Sequence, residues 1–128
     1  MNAELQALGQ RAVDCKHWRY RIGMVLTDGT VVVRVAANGQ PIVSGGISRG
    51  GCALSETLPD LSDPATVGAV LGLVRDAWGD PYLHCQYVLA ELGQPDCWLA
   101  LTDCGIGSRD FAARTEAEAL IAALEAAP

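Results

Sequence analysis

Residues 58–81, LPDLSDPATVGAVLGLVRDAWGDP, constrain this chain more than any other segment. They hold a helix start, a body that is apolar nearly all round, and a hard stop. Ser62 or Asp63 suits the N-cap, and Pro64 suits an early helical position, where its missing N–H costs nothing. Gly79-Asp80-Pro81 ends the run after Trp78, and between the two ends only Thr66, Arg75 and Asp76 are strongly polar. A helix apolar on every side must be covered on more than one of them. The segment therefore predicts a central helix at about 63–78. Val67, Val70, Leu71, Val74 and Trp78 make its main buried stripe, with Ala69 and Leu73 on the opposite side.

The rest of the chain arranges itself around that helix. Residues 3–13 read as a short helix with Leu5, Leu8 and Ala12 along one stripe. Asp28-Gly29 and Asn38-Gly39 each sit between apolar, β-branched runs, the pattern of type I′ hairpin turns. They predict a three-stranded meander over 18–27, 30–36 and 40–44, followed by a flexible loop, SGGISRGG, at 44–51. Residues 82–91 and 97–103 read as a hairpin joined through Gly93-Gln94-Pro95-Asp96, and 104–114 as a loop. Thr115 and Glu118 form a capping box for a closing helix whose buried stripe is Ala117, Leu120, Ile121 and Leu124. The order is α-β-β-β-α-β-β-α. This is an α+β fold, an antiparallel sheet (a β-meander plus a hairpin) packed with about three helices, in a single domain over 1–128.

Half of the residues are hydrophobic and 19% are charged, a globular rather than disordered composition. No apolar run approaches the ~20 residues that span a bilayer, and the opening Met1-Asn2-Ala3-Glu4 lacks the basic start and apolar stretch of a signal peptide. The expectation is a protein of the cytoplasm that makes no membrane contact. Five cysteines, at 15, 52, 85, 97 and 104, are odd in number and loosely spaced. That argues against a disulfide framework. Cys15-x-His17 is the only close pair of zinc-type ligands with room to chelate, and it is a poor match to zinc spacing. No structural disulfide, metal or cofactor is expected. A Cys–His nucleophile pair stays open as an alternative, because such partners lie far apart in sequence. No catalytic residue is marked out: the carboxylates sit at loops and helix ends, and Ser44, Ser48 and Ser55 lack a nucleophile-elbow context.

The net charge of −6 is unevenly spread, with +3 over residues 1–50 and −9 over 51–128. The basic half contains Lys16, His17, Arg19 and Arg21, interleaved with Trp18 and Tyr20, and further on Arg34 and Arg49. On a strand, His17, Arg19 and Arg21 would share one face and Trp18, Tyr20 and Ile22 the other. The run reads either as the basic face of an ordinary amphipathic strand or as an anion or partner contact. A single lysine and an acidic total disfavour direct nucleic-acid binding. Gly68 and Gly72 form a G-x-x-x-G on the central helix. Two helical glycines, each about 1 kcal/mol less favourable than alanine, want a reason. The reasons available are a close approach inside the chain and a homodimer contact.

Two of these segments, PDLSDPATVGAVLGLVRDAWGDP and TEAEALIAALEAAP, together with the opening LGQRAVDCKHWRYRIGM, resemble a group of small bacteriophage and prophage proteins. Three blocks carry the resemblance, a little under half of the chain, and 27–57 and 82–114 lie outside them. The resemblance implies an α-β-α sandwich-like phage domain and a host bacterial cytoplasm. It supplies no catalytic residue, since its motifs are cap, core and stop residues. What it implies is a non-enzymatic accessory protein that binds a host macromolecule, a host protein, and inhibits a bacterial defence system. The alternatives are a binder of a small anionic ligand such as a nucleotide signal, using Arg19, Arg21, Arg34 and Arg49, and a thiol enzyme.

Overall fold

Asp63 starts the long helix. It is the N-cap: its Oδ2 accepts the N–H of Thr66 at 2.9 Å, and its carbonyl accepts the first helical bond from Val67 N at 3.0 Å. Pro64 is the first helical residue, so the helix runs Pro64–Trp78. At the other end Gly79, with φ of +63°, follows the last helical residue. Gly79 N–H donates to Asp76 O and Asp80 N–H to Arg75 O, the paired bonds of a Schellman cap. The computed structural model describes residues 3–44, 53–54, 57–89, 96–102 and 109–128. In chain order the elements are α1 (Ala3–Asp14), β1 (Val31–Val35), β2 (Pro41–Ser44), β3 (Ala53–Leu54), α2 (Pro64–Trp78), β4 (His84–Val88), β5 (Cys97–Thr102), β6 (Arg109–Ala113) and α3 (Glu116–Ala126). The fold is α+β with antiparallel sheets. The strands form two three-stranded sheets, β1-β2-β3 and β4-β5-β6. No helix among the described residues is long and apolar enough to cross a membrane.

The chain gathers into two compact units, Met1–Asp14 with Trp18–Ala69, and Cys15–His17 with Val70–Pro128. In the first, α1 buries Leu8, Gly9 and Ala12. Gly9 lies so close to Leu58 and Pro59 that an added Cβ would sit 3.4 Å from Leu58 Cβ and from Pro59 O. The expected strand at 18–27 does not form. Gly23, at φ of +97°, takes part in a turn that ends with Met24 N–H on Arg21 O, and only the stretch after it pairs. Val25 bridges Val31 on one side, and Leu26 bridges Pro59 on the other. The meander instead continues from β2 into β3, with Ile42 opposite Leu54 and Val43 opposite Ala53.

Both hairpin sites are where the sequence puts them, but neither turn is type I′. That type needs positive φ at both central residues, and no non-glycine residue among those described has it. Gly29 donates to Leu26 O while Leu26 N–H reaches Thr30 O, and Gly39 and Ala36 repeat this with Gln40. Each is a three-residue loop with Gly29 or Gly39 as the left-handed residue. The side chains of Asp28 and Asn38 accept the N–H two residues on, at 3.0 and 3.1 Å.

In the second unit β5 is the central strand, in unbroken register with β4 (His84 to Val88 against Leu101 to Cys97) and with β6 (Trp98 to Thr102 against Ala113 to Arg109). Strand β6 corrects the expected loop at 104–114. The helix α3 packs on this sheet and buries Ala117, Ala119, Leu120, Ile121, Ala123 and Leu124, with Thr115 Oγ1 accepting from Glu118 N–H at its start. The C-terminal half of α2 belongs to this unit. Trp78 Nε1 donates to Ala123 O at 2.8 Å, and its ring packs against Phe111. Arg75 Nε donates to Leu83 O, and the buried Asp80 carboxylate accepts from Thr102 Oγ1 at 2.9 Å and from Tyr82 N–H.

The buried stripe of α2 matches the expected one at Val70 and Val74 but not elsewhere. Thr66, Val70, Leu73 and Val74 are buried, whereas Val67, Leu71 and Trp78 are half-buried. Leu73, placed by the sequence on the far side, is 3% exposed. The expected loop at 44–51 lies outside the described residues beyond Ser44, and so does the hairpin link at 93–95.

Candidate functional site

The basic run does not form a two-faced strand. Cys15, Lys16 and His17 make the turn after α1 and belong to the second unit, where the His17 ring Nε2 lies 3.1 Å from Ala127 O. With a proton on Nε2 the ring donates there, next to the end of α3. Trp18, Arg19, Tyr20 and Arg21 belong to the first unit. Trp18 and Tyr20 meet edge to face with centroids 5.5 Å apart, and partial burial pushes the Tyr20 hydroxyl pKa up. Trp18 Nε1 is buried with no hydrogen-bond partner among the described residues. Ile22, expected beside these rings, is 70% exposed. Lys16, Arg19 and Arg34 are exposed and Arg21 is half-buried; Arg49 lies outside the described residues.

A cavity of about 370 Å³ in the first unit is lined by Gln10, Val13, Tyr20, Leu58 and the turn Asn38 to Pro41. None of these residues is basic, so this cavity does not supply the cations that an anion site would need. Gly68 is exposed, and a Cβ added there would meet nothing within 4 Å among the described residues, so no close approach by them explains it. Gly72 is half-buried on the same helix.

The second unit offers a different surface, which the reading of residue types missed. Three large apolar side chains on β4 and its flanks face solvent: Tyr82 at 85%, Tyr87 at 50% and Leu89 at 72% exposure. Tyr87 and Trp98 stand opposite each other on neighbouring strands and pack with centroids 5.4 Å apart. The Tyr87 hydroxyl donates to Asp96 Oδ2 at 2.7 Å, and this bond to a carboxylate is the main reason its pKa is raised. His84 Nδ1 lies 3.2 Å from Tyr82 O. Period two is not a signal for this surface. Reading 82–91 as one strand puts Tyr82 and Tyr87 on opposite faces, which hides that both end up in solvent.

The cysteines follow their surroundings. Cys15, Cys85 and Cys97 are free thiols, and Cys52 and Cys104 lie outside the described residues. Burial, with the Glu116 carboxylate adding to it, pushes the Cys85 thiol up to about 12. A thiol held neutral in this way is a poor nucleophile near pH 7. Among the described residues no three His, Cys, Asp or Glu side chains gather to hold a metal ion. Compared with models of protein families, with curated proteins and with solved structures, the chain matches none.

Proposed function

We propose that this chain is a phage- or prophage-encoded, non-enzymatic accessory protein that binds a host protein through its second unit. One observation carries the binding reading: Tyr82, Tyr87 and Leu89, on β4 and its two flanks, are each at least half exposed. Large apolar side chains grouped on one stretch of surface mark interaction sites, whereas scattered ones need no explanation. Tyrosine adds contact area at low entropic cost and keeps a polar end for the rim of an interface. The phage setting, and the blocking of a defence system as the outcome of binding, rest on the resemblance carried by 59–81 and 115–128.

The test is capture from host lysate with the parent chain and with the triple variant Tyr82→Ser, Tyr87→Ser, Leu89→Ser. All three side chains are at least half exposed, so the variant keeps its fold, which circular dichroism checks. A host protein retained by the parent and lost by the variant supports the proposal. Identical capture by both overturns it. Plaque counts on hosts with and without the defence system tied to the captured protein then test the anti-defence outcome.

A further inference from the structure

The exposed residues of β4 belong to an edge strand. In the order β4-β5-β6, β4 is hydrogen-bonded among the described residues to β5 alone, so alternate residues from His84 to Val88 direct main-chain N–H and C=O groups away from the sheet. Sheet edges are normally blunted by lysine, proline, bulges or charges. The strand His84-Cys85-Gln86-Tyr87-Val88 has no lysine, proline or carboxylate, and its register runs unbroken. The opposite edge, β6, carries Arg109 and Asp110. Of the two edge strands of this sheet, β4 is the one whose sequence holds no lysine, arginine or carboxylate.

The unit that holds β4 is acidic as a whole. The second unit has four Lys and Arg against nine Asp and Glu, a formal −5. Two of these acids act on β4 itself: Asp96 holds the Tyr87 hydroxyl, and the charge of Glu116 reaches Cys85. We propose that β4 is a template for strand addition by an extended, basic segment of a partner protein. The segment pairs its main chain with the edge of β4 away from β5 and lays a lysine or arginine over the Tyr87–Trp98 ring pair. Main-chain pairing gives such complexes affinity, and alternate side chains give them specificity. A cation over an aromatic face, in a field already negative, supplies that specificity here.

This inference rests on the reading of β4 as a protein-binding surface, and its test is separate. The full chain, labelled with ¹⁵N, is titrated with a six-residue peptide of alternating lysine and valine. Two controls are the glutamate–valine peptide and the lysine–valine peptide with its backbone amides methylated. The expected result is saturable shifts at the amides of 84–88 and at the Trp98 indole. Like charge weakens the glutamate peptide about tenfold or more. Loss of main-chain donors weakens the methylated peptide by a similar factor. Equal binding of any control, shifts confined to other residues, or no binding of the lysine–valine peptide overturns strand addition. Shifts at 84–88 that grow with protein concentration alone also overturn it, by placing a second copy on the edge. If the triple serine variant loses a captured host protein while the peptide fails, β4 remains a binding surface and only its mode is wrong.

Discussion

Thr66 shows how one side chain can set the orientation of a helix. Its hydroxyl is fully buried, accepts the N–H of Val25 at 2.9 Å, and has one proton to place on Val25 O or on Asp63 Oδ2. It thereby joins the start of α2 to a segment 41 positions earlier in the chain. Thr66→Val keeps the shape and removes the acceptor, which should cost about 1–3 kcal/mol for the N–H left without a partner. Thr66→Ser keeps the hydroxyl and should cost less; chemical denaturation of both variants checks the order. Cys85 gives a second prediction at this scale. A folded-state pKa raised to about 12 from an ordinary thiol value of 9.0 means that the fold favours the neutral thiol. That preference is fully present below pH 9.0 and is lost as pH rises towards about 12. Alkylation of Cys85 by iodoacetamide should therefore stay slow at pH 8–9 and accelerate only in strong alkali. Fast labelling at pH 8 would contradict it.

At the scale of elements, what could be read from the sequence follows from the range of the forces involved. The boundaries of α2 and α3 were legible because caps and stops are local: Asp63, Gly79 and Thr115 act on neighbours within four positions. The face of α2 was not. Its body is apolar all round, so periodicity alone does not choose between a stripe through Val67 and Leu71 and one through Thr66 and Leu73. Because Thr66 is satisfied inside, the true stripe passes through Thr66, Val70, Leu73 and Val74. Leu73→Ala should therefore cost about 2–5 kcal/mol, and Leu71→Ala, at a half-buried position, clearly less. Equal losses in thermal or urea unfolding would restore the sequence-based stripe. The strands were legible only where turns flanked them. Strand β6 has a five-residue span whose pairing to β5 is a non-local fact, and 18–22 has aromatic alternation but a turn where a strand was expected. The exposed surface on β4 was hidden for the same reason, since whether a strand is central or an edge depends on its neighbours.

At the scale of the molecule, assembly turns on the side of α2 that the chain leaves open. Ala65 and Gly68 are exposed there, and Ala69 and Gly72 are half-buried. Glycine within a helix costs about 1 kcal/mol relative to alanine, and an alanine methyl at Gly68 would meet nothing within 4 Å. The packing of the described residues thus gives no reason for glycine at 68, and a close approach by a second copy is one reason that would account for it. Small residues one turn apart allow two helix backbones to approach, and a two-fold dimer brings the same face to itself. The expected outcome is a homodimer through Gly68 and Gly72, with a light-scattering mass of twice the 13.5 kDa chain. Gly68→Leu fills space that is open in the single chain, so helix content and cooperative unfolding should persist while the mass falls to that of one chain. A parent chain of 13.5 kDa at high concentration would defeat the prediction. Gly68→Ala would then raise stability by about 1 kcal/mol, as it does wherever an exposed helical glycine faces only water.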